Sequence, residues 1–478
     1  MIATGLRVLC HDERAEVHEA ALEVLERRGV FVAEHQLQNQ LQKRGGRPGL
    51  KADEIRIPRE LVEESLRTAN RRPVLHCVSG KALQIHSGNR CYGSLVTDPF
   101  IADYTEGVRR PRLDDIARHA RLGDALPLVD NIHLMDDTIP GLDPSVSVLK
   151  ALELFVSNTT TSYHCAPGSV AHTRYWIGIA EIMAGGSLKE NPILAAYVPV
   201  ISPLVLAEHN VEQLRMFIAR GVVCNVGPCA IAGATAPYPV AGLLVQSWAE
   251  YLAMLTATQV IEPGTAAIGG GGGAHVMDMA TGESLYSGVV KHMVSAAQNE
   301  LSEWLDLPTL TGNYTALCSR FDVQDGLESM MGVFATFFSR GNIFTGMGSI
   351  ANACGMGPVQ IVIHHDLTEM LERFRRGIDV TEEKLAVESI VSAGPRGQFL
   401  DDALTLKYLR TAEHFYASCY ERCAGGQDVK SMAERAHEKA EALIASHKPA
   451  VPEERVEEVH RYVERELARL KGGVSGTE

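Results

Sequence analysis

The chain has 478 residues, and its 45 Lys+Arg against 59 Asp+Glu give a formal net charge of −14 at pH 7. Hydrophobic residues make up 45% and charged residues 22%, the balance of an ordinary globular protein, which excludes a disordered or fibrous chain. An acidic chain without a run of Lys or Arg is a poor partner for nucleic acid or an anionic membrane. The length by itself allows about three domains.

Cysteine usage predicts the compartment. The 10 cysteines are spread singly, without a CxxC pair or regular spacing, which is typical of reduced thiols in a cytoplasm rather than of a disulfide framework. The first residues do not resemble a secretory signal, because Arg7, Asp12, Glu13 and Arg14 interrupt the apolar start. The sequence therefore predicts a cytoplasmic protein.

Residues 1–90 are predicted to form a separate helical lobe. Val17, Ala21 and Leu25 repeat at four-residue spacing in HEAALEVLERRG, and Gly29 provides the expected helix stop. Pro58 fits the first position of a second helix, RELVEESLRTAN.

From about residue 91 to residue 380, short β-rich runs alternate with helical stretches. The runs lie at 92–99, 129–137, 159–168, 192–200, 221–228, 264–271, 307–314 and 340–348. Near-continuous apolar strands that alternate with helices indicate an α/β protein with a parallel sheet. Eight such units predict a (β/α)8 TIM barrel. A doubly wound open sheet is the alternative, although its usual GxGxxG after the first strand is absent.

Residues 221–249 contain no charged residue, a length that could suggest a membrane span. After Gly221, glycines and prolines interrupt this stretch at six positions, so it is interpreted as a buried strand, a functional loop and the start of a buried helix.

The tail, residues 381–478, is predicted to be a helical extension. Val456, Val459, Val463, Leu467 and Leu470 step by three or four and form one apolar stripe on a charged helix. Packing of the stripe on the barrel is favoured over a dedicated dimer helix.

In a barrel of this type the active site lies at the carboxyl ends of the strands. Those ends are rich in glycine and polar residues: Asp98; Asp136 and Asp137; Tyr163, His164 and Cys165; Tyr197; Gly227 to Cys229; Gly269, Gly270, Gly271, Gly272 and Gly273 with His275; Asn313 and Tyr314; Gly346 and Gly348. The five consecutive glycines let the backbone approach a ligand closely, such as a large cofactor or a phosphate. A tight strand-to-helix crossover explains them as well.

Other chemistries are less well supported. His164, Cys165, Cys229, His275 and the pair at 364–365 include metal-ligand types, but no HExxH or CxxC motif holds them at ligand spacing, so no metal is predicted. No GxSxG motif indicates a serine nucleophile. Asp322 and Glu328 could act as acid and base, or could stabilise a helix start.

Three stretches of the chain carry a resemblance to a known family. They are GATAPYPVAGLLVQSWAEYLAMLTATQVIEPGTAAIGGGGGAHVMDMATGE, DVQDGLESM and LERFRRGIDVTEEKLAVESIVSAGPRGQFLDDALTLKYLRT. They resemble the trimethylamine methyltransferase family of corrinoid-dependent methyltransferases, and HEAALEVLERRGV and IPRELVEESL extend the likeness toward the N-terminus. The resemblance implies a (β/α)8 barrel that passes a methyl group from an amine to the Co(I) corrinoid, a cobalamin, of a small partner protein. It implies no tightly bound cofactor.

One departure from the family changes the expected substrate. The trimethylamine enzymes carry pyrrolysine shortly before the segment that matches Asp322-Val323-Gln324, whereas residues 315–321 here, TALCSRF, are ordinary. The chain is similar to the non-pyrrolysine branch, whose known members demethylate quaternary amines such as glycine betaine, carnitine and proline betaine. The resemblance therefore implies a quaternary amine, with glycine betaine favoured.

Physical chemistry fits this substrate class. A quaternary ammonium leaves as a neutral amine and needs no acid, so the enzyme must mainly orient it, a task worth roughly 7–11 kcal/mol. Aromatic faces hold such a cation, each contributing about 2 kcal/mol when desolvated. The predicted substrate-binding residues are Tyr163, His164, Tyr197, Tyr238, Asn313 and Tyr314, with His164, Asn313 or Arg320 available to a carboxylate. Residues 269–273, Gly346 and Gly348 are predicted to face the corrinoid, and Asp322, Gln324 and Glu328 are the catalytic candidates.

Two other functions remain open at this point. One is a tertiary-amine methyltransferase, acting on trimethylamine with another acid. The other is a barrel that binds betaine without turnover. A phosphate-binding isomerase or aldolase is a further possibility and predicts an anion at residues 269–273. A homo-oligomer is expected.

Overall fold

The computed structural model describes residues 5–86, 88–134, 138–270, 273–312, 314–411, 413–421 and 430–472. Its centre is a closed barrel of eight strands that follow one another around the ring in chain order. The barrel strands are β1 (Cys91–Thr97), β2 (Val129–Leu134), β3 (Ser162–Cys165), β4 (Leu194–Val200), β5 (Val223–Pro228), β6 (Ala267–Gly270), β7 (Thr309–Gly312) and β8 (Ile343–Met347). The predicted (β/α)8 barrel is thereby confirmed.

All neighbouring barrel strands are parallel, and β8 closes the ring by pairing with β1. Every residue of β2 and of β5 is buried, because the barrel interior covers one face and the outer helices cover the other. The pairing places His133 beside His164 and Tyr197 beside Asn225. His133 and His164 lie in the carboxyl-terminal halves of β2 and β3, and Tyr197 and Asn225 lie near the middle of β4 and β5.

A long helix follows each strand. The helices are α1 (Leu113–Ala125), α2 (Pro144–Val156), α3 (Val170–Ala184), α4 (Glu208–Arg220), α5 (Val240–Ile261), α6 (Val289–Trp304), α7 (Val323–Phe338) and α8 (Pro358–Arg376). Their ends follow local rules: Asp143, Ser169 and Asp322 cap N-termini through side-chain oxygens, and Gly185 and Gly221 end helices in the left-handed region.

Additional short strands lie in the segments that follow the barrel strands. Ala230–Ala232, Ala274–Met277 and Ser284–Leu285 form one three-stranded sheet. A second sheet contains Phe100–Asp103, Gly107–Arg109, Ser349–Ile350 and Gly355–Met356.

The N-terminal region contains the two predicted helices, at His11–Arg27 and Arg59–Thr68, and a further helix at His35–Lys43 that was not predicted. It also contains strands at Val30–Val32, Arg47–Pro48, Glu54–Arg56, Val74–His76 and Ala82–Gln84, which the helical prediction did not include. Strands of two or three residues are too short to produce a recognisable alternation of apolar and polar residues in the sequence. The first of them pairs with Val205–Leu206, so this region shares a sheet with an insertion of the barrel.

The charge-free stretch forms β5, the strand Ala230–Ala232 and the first part of α5, as predicted. Within the described residues, α5 is the one helix long and apolar enough to cross a membrane, but 72% of its most apolar window is buried inside the protein. It packs against the N-terminal helices His11–Arg27 and Arg59–Thr68, and is therefore a core helix.

The C-terminal extension has helices at Glu382–Leu385, Val387–Ala393, Ala403–Tyr408, Met432–Ser446 and Glu453–Lys471. The last helix packs on α2 and α3 and buries Val459, Val463 and Leu467. The apolar stripe therefore packs on the barrel of its own chain, as favoured above.

Candidate active site

A cavity of about 320 Å³ opens at the carboxyl ends of the barrel strands. The residues that line it come from the strands and from the loops that follow them, and most of the surface they offer is apolar. They are Leu95, His133, His164, Tyr197, Pro199, Gly227, Pro228, Cys229, Gly270, Gly273, His275, Tyr286, Leu310, Gly312, Tyr314, Thr315, Thr345, Gly346, Ser349 and Ala353.

Three tyrosines, Tyr197, Tyr286 and Tyr314, line the cavity. The Tyr197 hydroxyl donates to the carbonyl oxygen of Gly227 at 3.0 Å, which fixes the ring across the ends of β4 and β5. Tyr286 lies against the His275 ring, with 4.1 Å between ring centroids. Burial of Tyr197 and Tyr286 raises the pKa of both phenols, so they stay neutral.

The third ring, Tyr314, is held by a buried polar network. Its hydroxyl shares a hydrogen bond of 2.9 Å with Thr368, and its backbone oxygen accepts from Ser329 at 3.0 Å. Behind Ser329, the carboxylate of Asp325 accepts from Gln360 at 2.6 Å. Burial raises the pKa of Asp325 to about 6. His364 completes the network, with Nε2 lying 3.0 Å from the Ser329 hydroxyl.

A strained turn holds the other side of the mouth. Ala351, Asn352 and Ala353 have φ of 55°, 57° and 59°, a left-handed run that costs about 1–3 kcal/mol per residue. The Asn352 side chain accepts from the Tyr286 backbone N–H at 2.8 Å and donates to the Ser284 carbonyl oxygen at 2.8 Å. The turn therefore positions Tyr286, and such strain is typical of functional sites.

Two histidines form the wall of the cavity at β2 and β3. The His133 and His164 rings meet edge to face, with 4.1 Å between centroids. Asn225 Nδ2 lies 2.5 Å from His164 Nε2. Burial lowers the pKa of His164 to about 3 and that of His133 well below the usual value, so both imidazoles are neutral at physiological pH.

The lining is neutral overall. No Asp, Glu, Lys or Arg is found among the described residues that line the cavity. Lys291 lies behind the wall, where it donates to Ser295 at 3.0 Å and burial lowers its pKa to about 7. Burial also lowers the pKa of His275 well below its usual value.

The structure brings only part of the predicted substrate set into the cavity. His164, Tyr197 and Tyr314 line it. Tyr163 instead faces outward and packs on Phe155 of α2, with 5.2 Å between ring centroids, because successive strand residues point to opposite faces. Tyr238 is 62% exposed and outside the cavity, and Asn313 lies outside the described residues.

The predicted catalytic residues lie on the N-terminal part of α7 and not on the cavity wall. Asp322 caps the helix by accepting from the Gln324 backbone N–H at 2.9 Å. The Gln324 side chain donates to Glu328 at 2.9 Å, and Glu328 also accepts from the Leu317 backbone N–H at 2.6 Å. Their contacts support the loop at 315–321, which reaches the cavity at Thr315.

The predicted cofactor glycines divide into two groups. Gly270, Gly273 and Gly346 line the cavity, and a Cβ at Gly346, where φ is +96°, would meet open space. Gly269 packs tightly on Tyr251 and Gly348 on Ile361, so close contact with helices explains these positions. Gly271 and Gly272 lie outside the described residues, as do Asp136 and Asp137.

Three of the candidate metal ligands, His164, Cys229 and His275, line the cavity, but within the described residues their ligand atoms are not among those that lie close enough together to hold an ion. Cys165 follows Tyr163 and His164 on β3 and is fully buried. Within the described residues, one group, His365, Asp366 and Glu369, has ligand atoms close together. It lies on α8, and Asp366 already accepts from Lys439 at 3.2 Å.

Sequence reasoning did not find several residues of the cavity wall, including His133, Tyr286 and Ser349. His133 had a usable signal, because Asn131 and His133 alternate with apolar residues in the run VDNIHL. Tyr286 and Ser349 lie in connecting segments, where no periodic sequence pattern indicates which way a side chain points.

A closed parallel barrel with a ligand-sized cavity at the carboxyl ends of its strands is the arrangement of an α/β-barrel enzyme. The family profile described as trimethylamine methyltransferase (MTTB) matches residues 3–471. The chain belongs to this family of methyltransferases.

Relatives of known activity match almost the whole chain. The trimethylamine methyltransferase MttB of Desulfitobacterium hafniense (strain DSM 10664 / DCB-2) is 25% identical over 460 residues, 93% of this chain and 90% of that protein. The glycine betaine methyltransferase of Desulfitobacterium hafniense (strain Y51) is 25% identical over 456 residues, 92% of this chain and 93% of that protein. The solved monomethylamine methyltransferase of Methanosarcina barkeri is 12% identical, with a TM-score of 0.49 over 96% of this chain and 92% of that one.

Proposed function

We propose that the protein transfers a methyl group from a quaternary amine, with glycine betaine favoured, to the Co(I) corrinoid of a partner protein. The observation that carries this proposal is the neutral, aromatic lining of the cavity. Tyr197, Tyr286 and Tyr314 offer faces to a fixed cation, and the described lining has no carboxylic acid to protonate a tertiary amine. A relative named as a glycine betaine methyltransferase supports the same choice.

The reaction needs position more than acid or base. The corrinoid acceptor supplies the electron pair for the new bond to the methyl carbon, and the electron pair of the broken C–N bond leaves with the neutral amine. The tyrosines would hold the ammonium group so that one methyl faces the open mouth of the barrel. At Gly227 and Gly346 a Cβ would meet nothing within 4 Å, so the backbone leaves room for the acceptor.

The remaining sequence predictions fit this proposal to different degrees. The assignment of catalysis to Asp322, Gln324 and Glu328 stays a prediction, and the contacts of all three favour support of the loop at 315–321. The nine cysteines in the described residues are all free, which supports a reducing compartment and the proposed cytoplasmic location.

The test is a spectroscopic methyl-transfer assay. Purified protein would be mixed with reduced corrinoid protein encoded by a neighbouring gene, and separately with free Co(I) cobalamin, together with glycine betaine, carnitine, proline betaine or trimethylamine. We expect the corrinoid absorbance to change on methylation with a betaine. A response to trimethylamine alone would establish the tertiary-amine activity instead, and tight betaine binding without any transfer would establish a binding protein.

The segment of residues 378–411, which we call the arm, is exposed and apolar and supports the proposed homo-oligomer. None of residues 378–411 is buried, yet about half of the segment is helical and it carries exposed apolar side chains. Ile378 is 89% exposed, Leu400 86% and Val391 69%. Contiguous exposed apolar surface of this kind marks an interface, and a second copy of the chain would cover one arm with the other symmetrically.

Light scattering after gel filtration would test the oligomer. We expect the wild-type protein to have at least twice the mass of one chain, and the double variant Val391→Glu/Leu400→Glu to have the mass of one. Leu50→Glu is the matched control, because Leu50 is 73% exposed but lies outside the arm. A wild-type protein with the mass of one chain would contradict the proposal.

A further inference from the structure

A stripe of buried polar side chains runs along α8. Gln360, His364 and Thr368 follow one another at four-residue spacing, so they share one face of the helix, and all three are fully buried. Thr368 is bonded to the Tyr314 hydroxyl, and Gln360 donates to Asp325 on α7. A helix face that packs on a core is ordinarily apolar, and buried polar groups are costly unless they are hydrogen-bonded. A polar stripe at this depth therefore indicates a role beyond packing.

On one side, the imidazole of His364 reaches the end of β8. Its Nδ1 accepts a hydrogen bond of 3.0 Å from the backbone N–H of Gly348. Gly348 has a φ of +99°, and a Cβ there would lie 2.4 Å from Ile361, so only glycine lets the backbone come this close to α8. Burial lowers the pKa of His364 to about 3, so the ring is neutral. Because Nδ1 is an acceptor, the ring proton is on Nε2.

On the other side, the same imidazole reaches the end of β7 through α7. Its Nε2 lies 3.0 Å from the Ser329 hydroxyl, and the Gln360 amide lies 2.8 Å from the same nitrogen. The Ser329 hydroxyl in turn donates to the carbonyl oxygen of Tyr314 at 3.0 Å. A chain of hydrogen bonds with a fixed direction thus runs from Gly348, through His364 and Ser329, to Tyr314.

The segments that follow β7 and β8 are also bonded to each other. Two backbone N–H groups of the turn at 351–353 donate to carbonyl oxygens of the loop at 315–321, both at 2.8 Å. In the same turn, the Asn352 side chain accepts from the backbone N–H of Tyr286. Tyr286 and Tyr314, two rings that line the cavity, therefore belong to one hydrogen-bonded unit. The stripe on α8 anchors this unit to the barrel.

We infer that His364 is a positioning residue for methyl transfer, which holds Tyr314 and the segment after β8 in a fixed relation. The inference rests on the proposed function. Methyl transfer requires the C–N bond to point at the acceptor, and a displacement of about 1 Å can cost about 100-fold in rate. The attraction of a cation to an aromatic ring is less demanding, because it acts within about 6 Å of the ring centroid. Loss of the anchor should therefore reduce the rate of transfer more than the affinity for the substrate.

Variants at His364 test this difference in the full-length protein. His364→Phe keeps a ring of similar size and removes both hydrogen bonds. We expect its kcat with glycine betaine and reduced corrinoid protein to fall by about 30-fold or more, while the calorimetric affinity for glycine betaine stays within about three-fold of wild type. His364→Asn keeps an acceptor at the position of Nδ1 and should recover part of the lost rate. His365→Gln is the matched control, because His365 is buried on the same helix but is outside the cavity lining and the hydrogen-bonded chain.

Three results would overturn the inference. They are a kcat of His364→Phe within about three-fold of wild type, an Asn variant no faster than the Phe variant, and an equal loss in His365→Gln, which would assign the effect to helix packing. If His364→Phe does not fold, Ser329→Ala decides, because it removes the link between the imidazole and Tyr314. Its kcat should fall by about 10-fold with the affinity kept, and an unchanged kcat would overturn the inference.

Amide hydrogen exchange gives a second readout that needs no turnover. In His364→Phe, peptides from 315–321 and from 345–353 should both exchange faster than in wild type, and His364→Asn should restore protection to the second. Unchanged exchange in both segments would contradict the link. Wild-type protein that demethylates no quaternary amine would remove the proposed function, whereas an active wild type with an equally active His364→Phe variant would remove this inference alone.

Discussion

Lowering the pH from about 7.5 to about 5 is expected to reduce the free energy of unfolding by at least roughly 5 kcal/mol. The cause is a set of buried histidines. Burial lowers the pKa of His164, His292 and His364 to about 3, and lowers the pKa of His133 and His275 well below the usual value. In the unfolded chain a histidine binds a proton near pH 6.5.

The sign follows from the difference in bound protons. Between about pH 6.5 and pH 3 the unfolded chain holds protons that the folded protein excludes, so stability is full above this range and is lost as the pH falls. At pH 5, His164, His292 and His364 each account for about 2 kcal/mol, and His133 and His275 add to this loss in the same direction. Asp325 acts in the opposite sense, because its pKa of about 6 in the folded protein makes protonation favour folding, but by only about 1 kcal/mol at pH 5.

Urea denaturation at several pH values measures this effect. His292→Gln removes one buried imidazole, so the stability of this variant relative to wild type should improve by about 2 kcal/mol between pH 7.5 and pH 5. The exposed His209→Gln variant should follow the wild type. A stability that does not change across this range would show that the imidazoles accept protons without unfolding.

Loss of one aromatic face from the cavity is expected to weaken quaternary ammonium binding by about 30-fold, which corresponds to about 2 kcal/mol. Tyr286→Leu disturbs less of the surrounding structure, because within the described residues the Tyr286 hydroxyl makes one long contact, of 3.8 Å, to the sulfur of Cys229. Tyr314→Leu removes a second face but also removes the hydrogen bond to Thr368. Tyr314→Phe keeps the ring and should keep most of the affinity.

Calorimetric titration with tetramethylammonium isolates this contribution, because the ligand has no other recognition group. Tyr238→Leu is the matched control, since Tyr238 is 62% exposed and outside the cavity. If the Tyr286 and Tyr314 variants bind tetramethylammonium within about three-fold of wild type, the cation is held elsewhere and the aromatic proposal is wrong.

The regular alternation of apolar runs and helical stretches predicted the barrel, because each unit of this pattern is local and the pattern is repeated eight times. Each strand is buried on two faces and so forms an apolar run, and each is followed by a helix of ten or more residues. All eight predicted runs contain a barrel strand, including 221–228 in the charge-free segment. The short strands near Val30 and Val205 were not predicted, because two or three residues carry no period.

The candidate site was predictable only where a strand carries the residue. His164 and Tyr197 are strand residues and line the cavity as expected, whereas Tyr163, one position earlier, faces the helices. Which of the two residues faces the barrel interior depends on the register of β3. A strand of four residues is too short for its sequence to reveal that register. Tyr286 reaches the cavity because Asn352, 66 residues away, fixes its backbone.

The sequence by itself determined that this is an acidic α/β barrel protein with an extension on each side of the barrel, and its motifs indicated the methyltransferase family that the comparisons confirm. These properties follow from composition, from local periodicity and from contiguous motifs. The tertiary structure decided which aromatic rings share one cavity, and it placed His133 beside His164. It also gave Asp322, Gln324 and Glu328 contacts outside the cavity. The physical reason is that a binding site is made by the convergence of side chains from distant strands and loops, and strand register and loop strain set that convergence without leaving a local pattern in the chain.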